Sequence, residues 1–349
     1  MKSSYKPSDV TLLLKDISGL VTPLPTEERE HLIQKGIHYC EMLPLEYKPS
    51  EKYFEAYGIA LNTYAKQTAQ AVCQVSERIY KEKGTNVVIV SLARAGIPIG
   101  ILIKHYLEEK YHISVPHYAI SIIRGRGLDQ NAINFILSKH APSSIQFVDG
   151  WIGKGAIQNQ LAEALISYPK ISSQLAVLSD PANITDLCGT HEDILIPSSC
   201  LNCTVSGLVS RTFLRNDIIG KTDFHGAAYY KELKKEDVSY DFINAIQKHF
   251  DFSTTALPSF KGQKGTVEVA EIASYFSIKD HNFIKPGIGE ATRVLLRRVP
   301  WKLLIREHSE SDPLLSHLIQ LAREKQVPIT YYPLKNYKAC GIIKQFADA

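Results

Sequence analysis

Residues 86–179 alternate short apolar runs with segments of helical periodicity, and this alternation limits the folds open to the chain. The expected elements are strands over 86–91, 115–123, 145–149 and 175–179, and helices over 97–107, 129–139 and 155–167. Parallel strands need a long crossover connection, and helices of this length supply one. The pattern therefore predicts an α/β fold with a parallel sheet and helices on its faces. Ligands of such sheets bind at the carboxyl ends of the strands, so we expect function in the loops there.

The composition is that of a folded protein with room for two domains. The chain has 349 residues, of which 44% are hydrophobic and 22% charged. Its formal net charge of +4 suits anionic ligands without requiring a nucleic acid. Six cysteines and no apolar leader indicate a reducing compartment, so we expect the cytoplasm. No apolar run has the length of a membrane span, and we expect no membrane partner.

Three segments are expected along the chain. Residues 1–50 are interpreted as an N-terminal cap, 51–258 as the parallel-sheet domain and 264–349 as a smaller domain of α/β/α layers. The boundary carries the polar sequence K-G-Q-K-G, which is typical of a linker. In the last segment helices and strands alternate again, and a short helix is expected at its end.

Three loops at the predicted sheet edge carry residues suited to phosphate. Arg94 and Gly96 form a tight turn after the first strand, and Arg124 and Arg126 stand among glycines after the second. Asp149 ends the third strand, and a glycine-rich turn and a helix start follow it, where unpaired N–H groups favour an anion. Guanidinium groups match phosphate oxygens, so the three loops together predict a ligand with more than one phosphate.

The order and spacing of these loops over residues 54–180 resemble the type I phosphoribosyltransferases. The resemblance implies that family's fold and a magnesium-dependent transfer of ribose 5-phosphate from phosphoribosyl pyrophosphate, or the binding of a related nucleotide. It implies catalytic roles for Asp149, Arg124 and Arg126. The substrate-binding residues that it implies are Arg94, Ala95, Gly96, Gly150, Trp151, Ile152, Gly153, Lys154 and Gly155. The sequence departs from the family where Gly150 replaces a second acid and Lys154 replaces a threonine.

The middle of the chain is rich in cysteine and histidine. The runs S-D-P-A-N-I-T, C-G-T-H-E-D-I-L-I-P-S-S-C-L-N-C and D-F-H-G-A-A-Y-Y resemble the StiP family of bacterial stress and tellurite-resistance operons, described both as phosphoribosyltransferase-like and as a cysteine protease. A protease would use Cys200, at a predicted helix start that favours its thiolate, with His225 as the base. A buried, inert Cys200 is the alternative. Cys188-x-x-His191 with Cys200-x-x-Cys203 also has the spacing of a tetrahedral zinc site.

The segment Gly287–Arg293, G-I-G-E-A-T-R, resembles the RNA-contacting turn of the Pelota and ribosomal L7Ae class. Basic side chains concentrate there, and the N–H groups of a helix start can take a phosphate. The resemblance implies a domain whose partner is structured RNA. The RNA-binding residues that it implies are Lys285, Gly287, Glu290, Arg293 and Arg297. Gly289 stands where the family has an asparagine.

Three functions stay open after the sequence alone. The main prediction is a phosphoribosyltransferase-like enzyme of a bacterial stress or tellurite-resistance pathway, with Mg²⁺ as cofactor and an RNA-binding module at its C-terminal end. The first alternative is a cysteine protease with Cys200 as nucleophile. The second is a non-catalytic protein that senses a nucleotide and binds RNA. The acceptor base and the oligomeric state, monomer or homodimer, stay open.

Overall fold

The computed structural model describes residues 1–258, 262–309 and 311–345, except for the side chains of Thr26, Glu30, Gln34 and Arg297. Its α-helices are α1 (Thr26–Gln34), α2 (Glu51–Lys83), α3 (Gly96–Tyr111), α4 (Gln130–Leu137), α5 (Ala156–Ala164), α6 (Ser239–Gln247), α7 (Gly265–Tyr275), α8 (Ile288–Arg297) and α9 (Ser316–Glu324). Its strands are β1 (Thr11–Leu12), β2 (Lys15–Asp16), β3 (Val88–Leu92), β4 (His117–Ile120), β5 (Ile122–Ile123), β6 (Gly127–Leu128), β7 (Ile145–Val148), β8 (Val177–Ser179), β9 (Cys188–Thr190), β10 (Gly226–Ala227), β11 (Ile284–Pro286), β12 (Pro300–Arg306), β13 (Ile329–Tyr332) and β14 (Ala339–Ile343). Among the helices so described, none is long and apolar enough to cross a membrane.

A parallel sheet forms the centre of the first segment, as the sequence predicts. Its strands lie in the order β1, β4, β3, β7, and all three pairings are parallel. Single parallel bridges from Val148 to Ala176 and from Trp151 to Ser179 connect it to the β8–β9 pair, which is also parallel. The chain is therefore a mixed α/β protein, and the carboxyl ends of the expected strands lie at the same edge of its parallel sheet.

The central strand β3 is buried on both faces, and its side chains alternate between two apolar clusters. Ile89 packs with α2 and α3, whereas Val88 and Val90 pack with α4 and α5. A strand covered on both faces by helices needs a continuous run of β-branched residues, and the sequence V-I-V meets that need. Packing on both faces holds the strand ends and their loops in place.

The N-terminal segment contributes strands to the first segment. β1 pairs with β4 at the edge of the parallel sheet, and β2 pairs with β10. Next to this pairing, Lys15 Nζ forms an ion pair with Asp223 Oδ2 at 2.6 Å. Residues 1–50 therefore complete the sheet that the following residues form.

The C-terminal segment is built on a mixed sheet in the order β11, β14, β12, β13. Leu303 and Ile305 of β12 face α8 and α9, and Leu304 faces α7, so helices cover both faces. The short final helix expected from the sequence is wrong, because 339–343 forms strand β14 between β11 and β12. Its run A-C-G-I-I is almost wholly buried there, which a surface helix would not allow.

Replacing Gly189 with alanine is expected to destabilise the fold by about 3 kcal/mol. A Cβ atom at Gly189 would lie 2.3 Å from the backbone oxygen of Ala71 in α2, and backbone cannot move aside as a side chain can. The matched control is Gly58→Ala inside α2, where a Cβ meets nothing within 4 Å, and where better helix propensity should stabilise by about 1 kcal/mol. Urea unfolding measures the free energy of unfolding of both variants, which should fall for Gly189→Ala and rise for Gly58→Ala. Equal stabilities would contradict the close approach of β9 to α2.

Candidate active site

The first and third loops of the predicted sheet edge meet at Asp149. A Cβ atom at Gly96, the first residue of α3, would lie 2.5 Å from Val148 O and 3.2 Å from Asp149 Cα, so only glycine allows this contact. The Asp149 carboxylate accepts the N–H of Gly150 at 2.8 Å. Burial raises the pKa of Asp149 to about 7, although the Gly150 N–H and Arg293 act in the opposite direction.

Arg94 is held by protein groups. Its guanidinium forms an ion pair with Glu46 at 2.7 Å and donates to Val209 O at 2.8 Å and to Asn202 at 3.4 Å. Ala95, the next residue, is exposed, and the Ala93–Arg94 peptide is cis. Because these acceptors take up the guanidinium, Arg94 has a structural role that its sequence context does not reveal.

The second loop is also engaged by the protein. Arg124 donates to Asn282 of the C-terminal segment at 2.8 Å, and Arg126 pairs with Glu41 at 2.9 Å. The N–H of Arg124 donates to the hydroxyl of Tyr39 at 2.9 Å. These contacts direct the two arginines toward neighbouring segments.

The glycine-rich turn after Asp149 packs against the C-terminal segment. Lys154 donates to the carbonyl oxygens of His281 and Ile284, and burial lowers its pKa to about 8. The carbonyl of Gly153 accepts the hydroxyl of Tyr337 at 2.7 Å. The remaining turn residues are Ile152, which is buried, Gly155, which precedes α5 at φ 85°, and Trp151, whose ring lies 5.9 Å from the Arg293 guanidinium. The turn thus contacts the C-terminal segment through several of its residues.

The predicted RNA-contacting turn lies against the first segment as well. Gly287 precedes α8, and the N–H of Ile288 donates to both carboxylate oxygens of Asp193, at 2.9 and 3.1 Å. Glu290 pairs with Arg293 at 3.0 Å. Lys285 is partly buried, and this burial lowers its pKa. The side chain of Arg297 falls outside the described residues.

All six cysteines are free and buried, so exposure does not single out a nucleophile. Cys200 ends a short 3-10 turn, Pro197–Cys200, and packs in the apolar cluster of α2. His225 has other partners: its ring Nδ1 lies 2.8 Å from Ser121 Oγ, and its backbone N–H donates to Asp129 Oδ2 at 2.6 Å. The pairing of Cys200 with His225 stays a prediction. Among the described residues no three or more His, Cys, Asp or Glu side chains converge to hold a metal, so the four-residue zinc arrangement does not form.

A different cysteine has a histidine beside it. Cys188 Sγ in β9 lies 3.5 Å from Nε2 and 3.7 Å from Nδ1 of His191, and His191 Nδ1 donates to the carbonyl oxygen of Asp180 at 2.9 Å. A carbonyl can only accept, so the proton is on Nδ1, and Nε2 is the ring nitrogen that can act as a base. The Asp180 carboxylate lies 3.7 Å from the same Nδ1 and is held by the N–H groups of Ile184 and Thr185. A thiol, an imidazole and a carboxylate therefore lie close together, and the Asp180 carbonyl rather than its carboxylate orients the ring.

Two further features suit this site to nucleophilic chemistry. The guanidinium of Arg78 lies 3.7 Å from Cys188 Sγ and is fixed by the Cys188 carbonyl at 2.7 Å, and a nearby cation favours a thiolate. His191 also lines a cavity of about 440 Å³ between the two segments. The other residues around this cavity are Asn183, Glu192, Asp193, Gly262, Gln263, Arg306, Lys335, Asn336 and Lys338. From the sequence, Cys188 and His191 are expected only as zinc ligands. The overlooked signal is a Cys-x-x-His run that starts in a strand next to Asp180.

A second thiol and imidazole pair is less suited to catalysis. Cys40 Sγ lies 2.9 Å from His38 Nδ1, and His38 Nε2 donates to Arg124 O at 3.1 Å. However, the same Nδ1 accepts the N–H of Cys40, and burial raises the pKa of Cys40 to about 11. This thiol therefore stays protonated at neutral pH.

Comparisons with known proteins agree with a thiol-based site. Residues 3–247 match the family described as tellurite-like stress resistance cysteine protease StiP, and residues 263–345 match the PELOTA RNA binding domain. "Cysteine protease StiP" of Acinetobacter baylyi (strain ATCC 33305 / BD413 / ADP1) is 35% identical over 364 residues, covering 98% of this chain and 94% of the relative. No solved structure matches the chain.

These matches overturn the main functional prediction. The phosphoribosyltransferase activity expected from the three loops is wrong, and the cysteine protease alternative agrees with both the family and the relative. The structure gives a physical reason, since Arg94, Arg124 and Lys154 are bound to protein acceptors. Across most of its length, the chain belongs to the StiP family of cysteine proteases and carries a Pelota RNA-binding domain at its C-terminal end.

Proposed function

We propose that this chain is a cysteine-dependent peptidase in which Cys188 is the nucleophile and His191 the general base. The observation that carries the proposal is the 3.5 Å contact between Cys188 Sγ and His191 Nε2, with Nδ1 tied to Asp180 O. Of the thiol and imidazole contacts in the described residues, this one has an imidazole whose Nδ1 proton is fixed by a carbonyl, a carboxylate 3.7 Å from that nitrogen and a cation beside the sulfur. The name of the Acinetobacter relative supports the same reaction.

The reaction follows from this geometry. His191 Nε2 takes the proton of Cys188, and the sulfur attacks the peptide carbonyl carbon. Collapse of the tetrahedral adduct breaks the C–N bond, and the imidazolium returns its proton to the leaving amine. The remaining thioester is hydrolysed by water, which His191 deprotonates in turn. Asp180 keeps the ring oriented and stabilises its positive charge. Cys188 is buried and His191 lines the adjoining cavity, so the substrate approaches from the side of that cavity.

The C-terminal segment gives the enzyme a second partner. We infer that it binds structured RNA, supported by the match of residues 263–345 to a family that binds RNA. We also infer that the parallel sheet is arranged as in type I phosphoribosyltransferases, supported by the central position of β3 and by the contact of Gly96 with Asp149. Six free thiols support a cytoplasmic location. Nucleotide binding, a magnesium site at Asp149 and a homodimer stay predictions.

A covalent probe tests the assignment of the nucleophile. The native chain is treated with a peptidyl epoxide that alkylates activated thiols, and the labelled cysteine is identified by peptide mass spectrometry. We expect label on Cys188, and its loss in His191→Ala, because the imidazole generates the attacking thiolate. Cys40 is the internal control, since its raised pKa should keep it unlabelled. Label on Cys200 would support the nucleophile predicted from sequence, and label on none of the six would contradict the peptidase.

A further inference from the structure

The first segment places a buried carboxylate on the start of helix α8. Asp193, which is 4% exposed, accepts the N–H of Ile288 through both oxygens and the N–H of Lys338 at 2.8 Å. We call this set of contacts the Asp193 cap. Asp193 lies three residues after the end of β9, so the contact joins the peptidase segment to the C-terminal segment. Three hydrogen bonds to one carboxylate make it a strong link between the two.

The Asp193 cap occupies the position that an anion from outside would take. The first N–H groups of a helix have no partner within the helix, and its dipole attracts negative charge there. Gly287, at φ 97°, brings the backbone so close that a Cβ atom would lie 3.3 Å from Asp193 Oδ1. The oxygens of Asp193 are therefore where phosphate oxygens would bind.

Neighbouring contacts cover the same turn. A Cβ atom at Gly289 would lie 3.6 Å from Ser199 Cβ and 4.0 Å from the Trp151 ring. The side chain of Glu290 approaches Gly153, since a Cβ atom at Gly153 would lie 3.8 Å from Glu290 Cγ. Three successive parts of the turn therefore face protein, and a nucleic acid cannot reach them in this arrangement.

We propose that the Asp193 cap is an autoinhibitory contact: an RNA phosphate and Asp193 compete for the start of α8, so RNA binds only after the two segments separate there. The proposal rests on the proposed RNA-binding function and adds its regulation. RNA affinity is reduced by the fraction of molecules in which the contact is open. Apolar residues of α8 pack beside the cap in the cluster of α2, and their burial favours the closed form.

A reversible disulfide across the contact tests the proposal. The 3.6 Å between the Cβ positions of 199 and 289 lies inside the range of about 3.5–4.5 Å found in disulfides. Ser199→Cys with Gly289→Cys is oxidised, and fluorescence anisotropy with a labelled RNA stem that contains an internal loop measures binding. We expect binding at least about tenfold weaker than in the reduced form, with full recovery on adding dithiothreitol. Each single cysteine variant, oxidised in the same way, controls for the six native thiols.

The outcomes separate the cap from the RNA-binding function itself. Equal RNA affinity in the oxidised and reduced double variant, with the disulfide confirmed by mass spectrometry, overturns the autoinhibitory contact alone. Absence of RNA binding by the wild-type chain and by the reduced variant overturns both. Asp193→Ala provides a second measurement, and we expect tighter RNA binding because a competing anion is removed. If this variant fails to fold, the disulfide still decides.

Discussion

Replacing Cys188 with serine is expected to lower peptide hydrolysis by about a thousandfold or more. A serine hydroxyl is a far weaker acid than a thiol, so His191 cannot activate it to the same extent at neutral pH. His191→Ala should cost a similar factor, because the thiol then loses the base whose Nε2 lies 3.5 Å from its sulfur. Groups that act as one unit give non-additive losses, so we expect the double variant to be no worse than Cys188→Ser alone.

The measurement is kcat/KM on a fluorogenic peptide library, with thermal unfolding of each variant to show that the fold is kept. Cys40→Ser and Cys200→Ser are matched controls, since both replace a buried thiol with the same group. We expect activity close to wild type in both. Loss of activity in Cys200→Ser, with Cys188→Ser unaffected, would move the nucleophile to the position predicted from sequence.

Replacing Asp149 with asparagine is expected to stabilise the protein at pH 8 by about 2 kcal/mol. The pKa of Asp149 is raised to about 7 in the folded chain, so folding disfavours its ionised form. The folded state then binds more protons than the unfolded state between about pH 4 and 7, and stability falls as the pH rises through that window. Full conversion of the shift gives at most about 4 kcal/mol, and partial solvent exposure of the side chain reduces this to about 2 kcal/mol.

Urea unfolding at pH 8 and at pH 4 checks both the size and the sign. At pH 4 the folded wild type carries a neutral Asp149, and the variant should gain little. Asp217→Asn is the control: Arg215 lowers the pKa of Asp217, so this variant should lose stability, if anything, at the higher pH. A variant at Asp149 that is equally or less stable at pH 8 would show that the carboxylate is not held at an energetic cost. A stable Asp149→Asn with reduced activity would indicate a functional carboxylate.

The sequence was most informative where local pattern and burial agree. The strand β3 follows from continuous apolar residues and the helix α5 from 3.6-residue spacing, because the packing of the folded protein reinforces both preferences. A short helix was expected in place of strand β14, since a run of only five apolar residues suits a strand or a buried helix turn equally well. Only its pairing with β11 and β12 decides between them.

The candidate site was harder to predict because it depends on partners far away in sequence. Arg94 has the sequence context of a phosphate ligand, and its actual acceptor Glu46 lies 48 residues earlier. The start of α8 has the features of an exposed anion site, and Asp193, 95 residues earlier, occupies it. Cys188 and His191 are three residues apart, but their spacing alone does not distinguish a metal site from a nucleophile and base. The distinction comes from the surroundings, since among the described residues no third His, Cys, Asp or Glu side chain joins the pair to hold a metal.

One apolar cluster contains Ile196 and Cys200 of the first segment together with Ile288 and Leu295 of the C-terminal helix. Cutting the chain at residue 258 would leave that surface of the peptidase segment bare, and such fragments tend to aggregate. The two parts recognised as separate families should therefore melt together, in a single cooperative transition, and expression of either half alone is expected to give little usable protein.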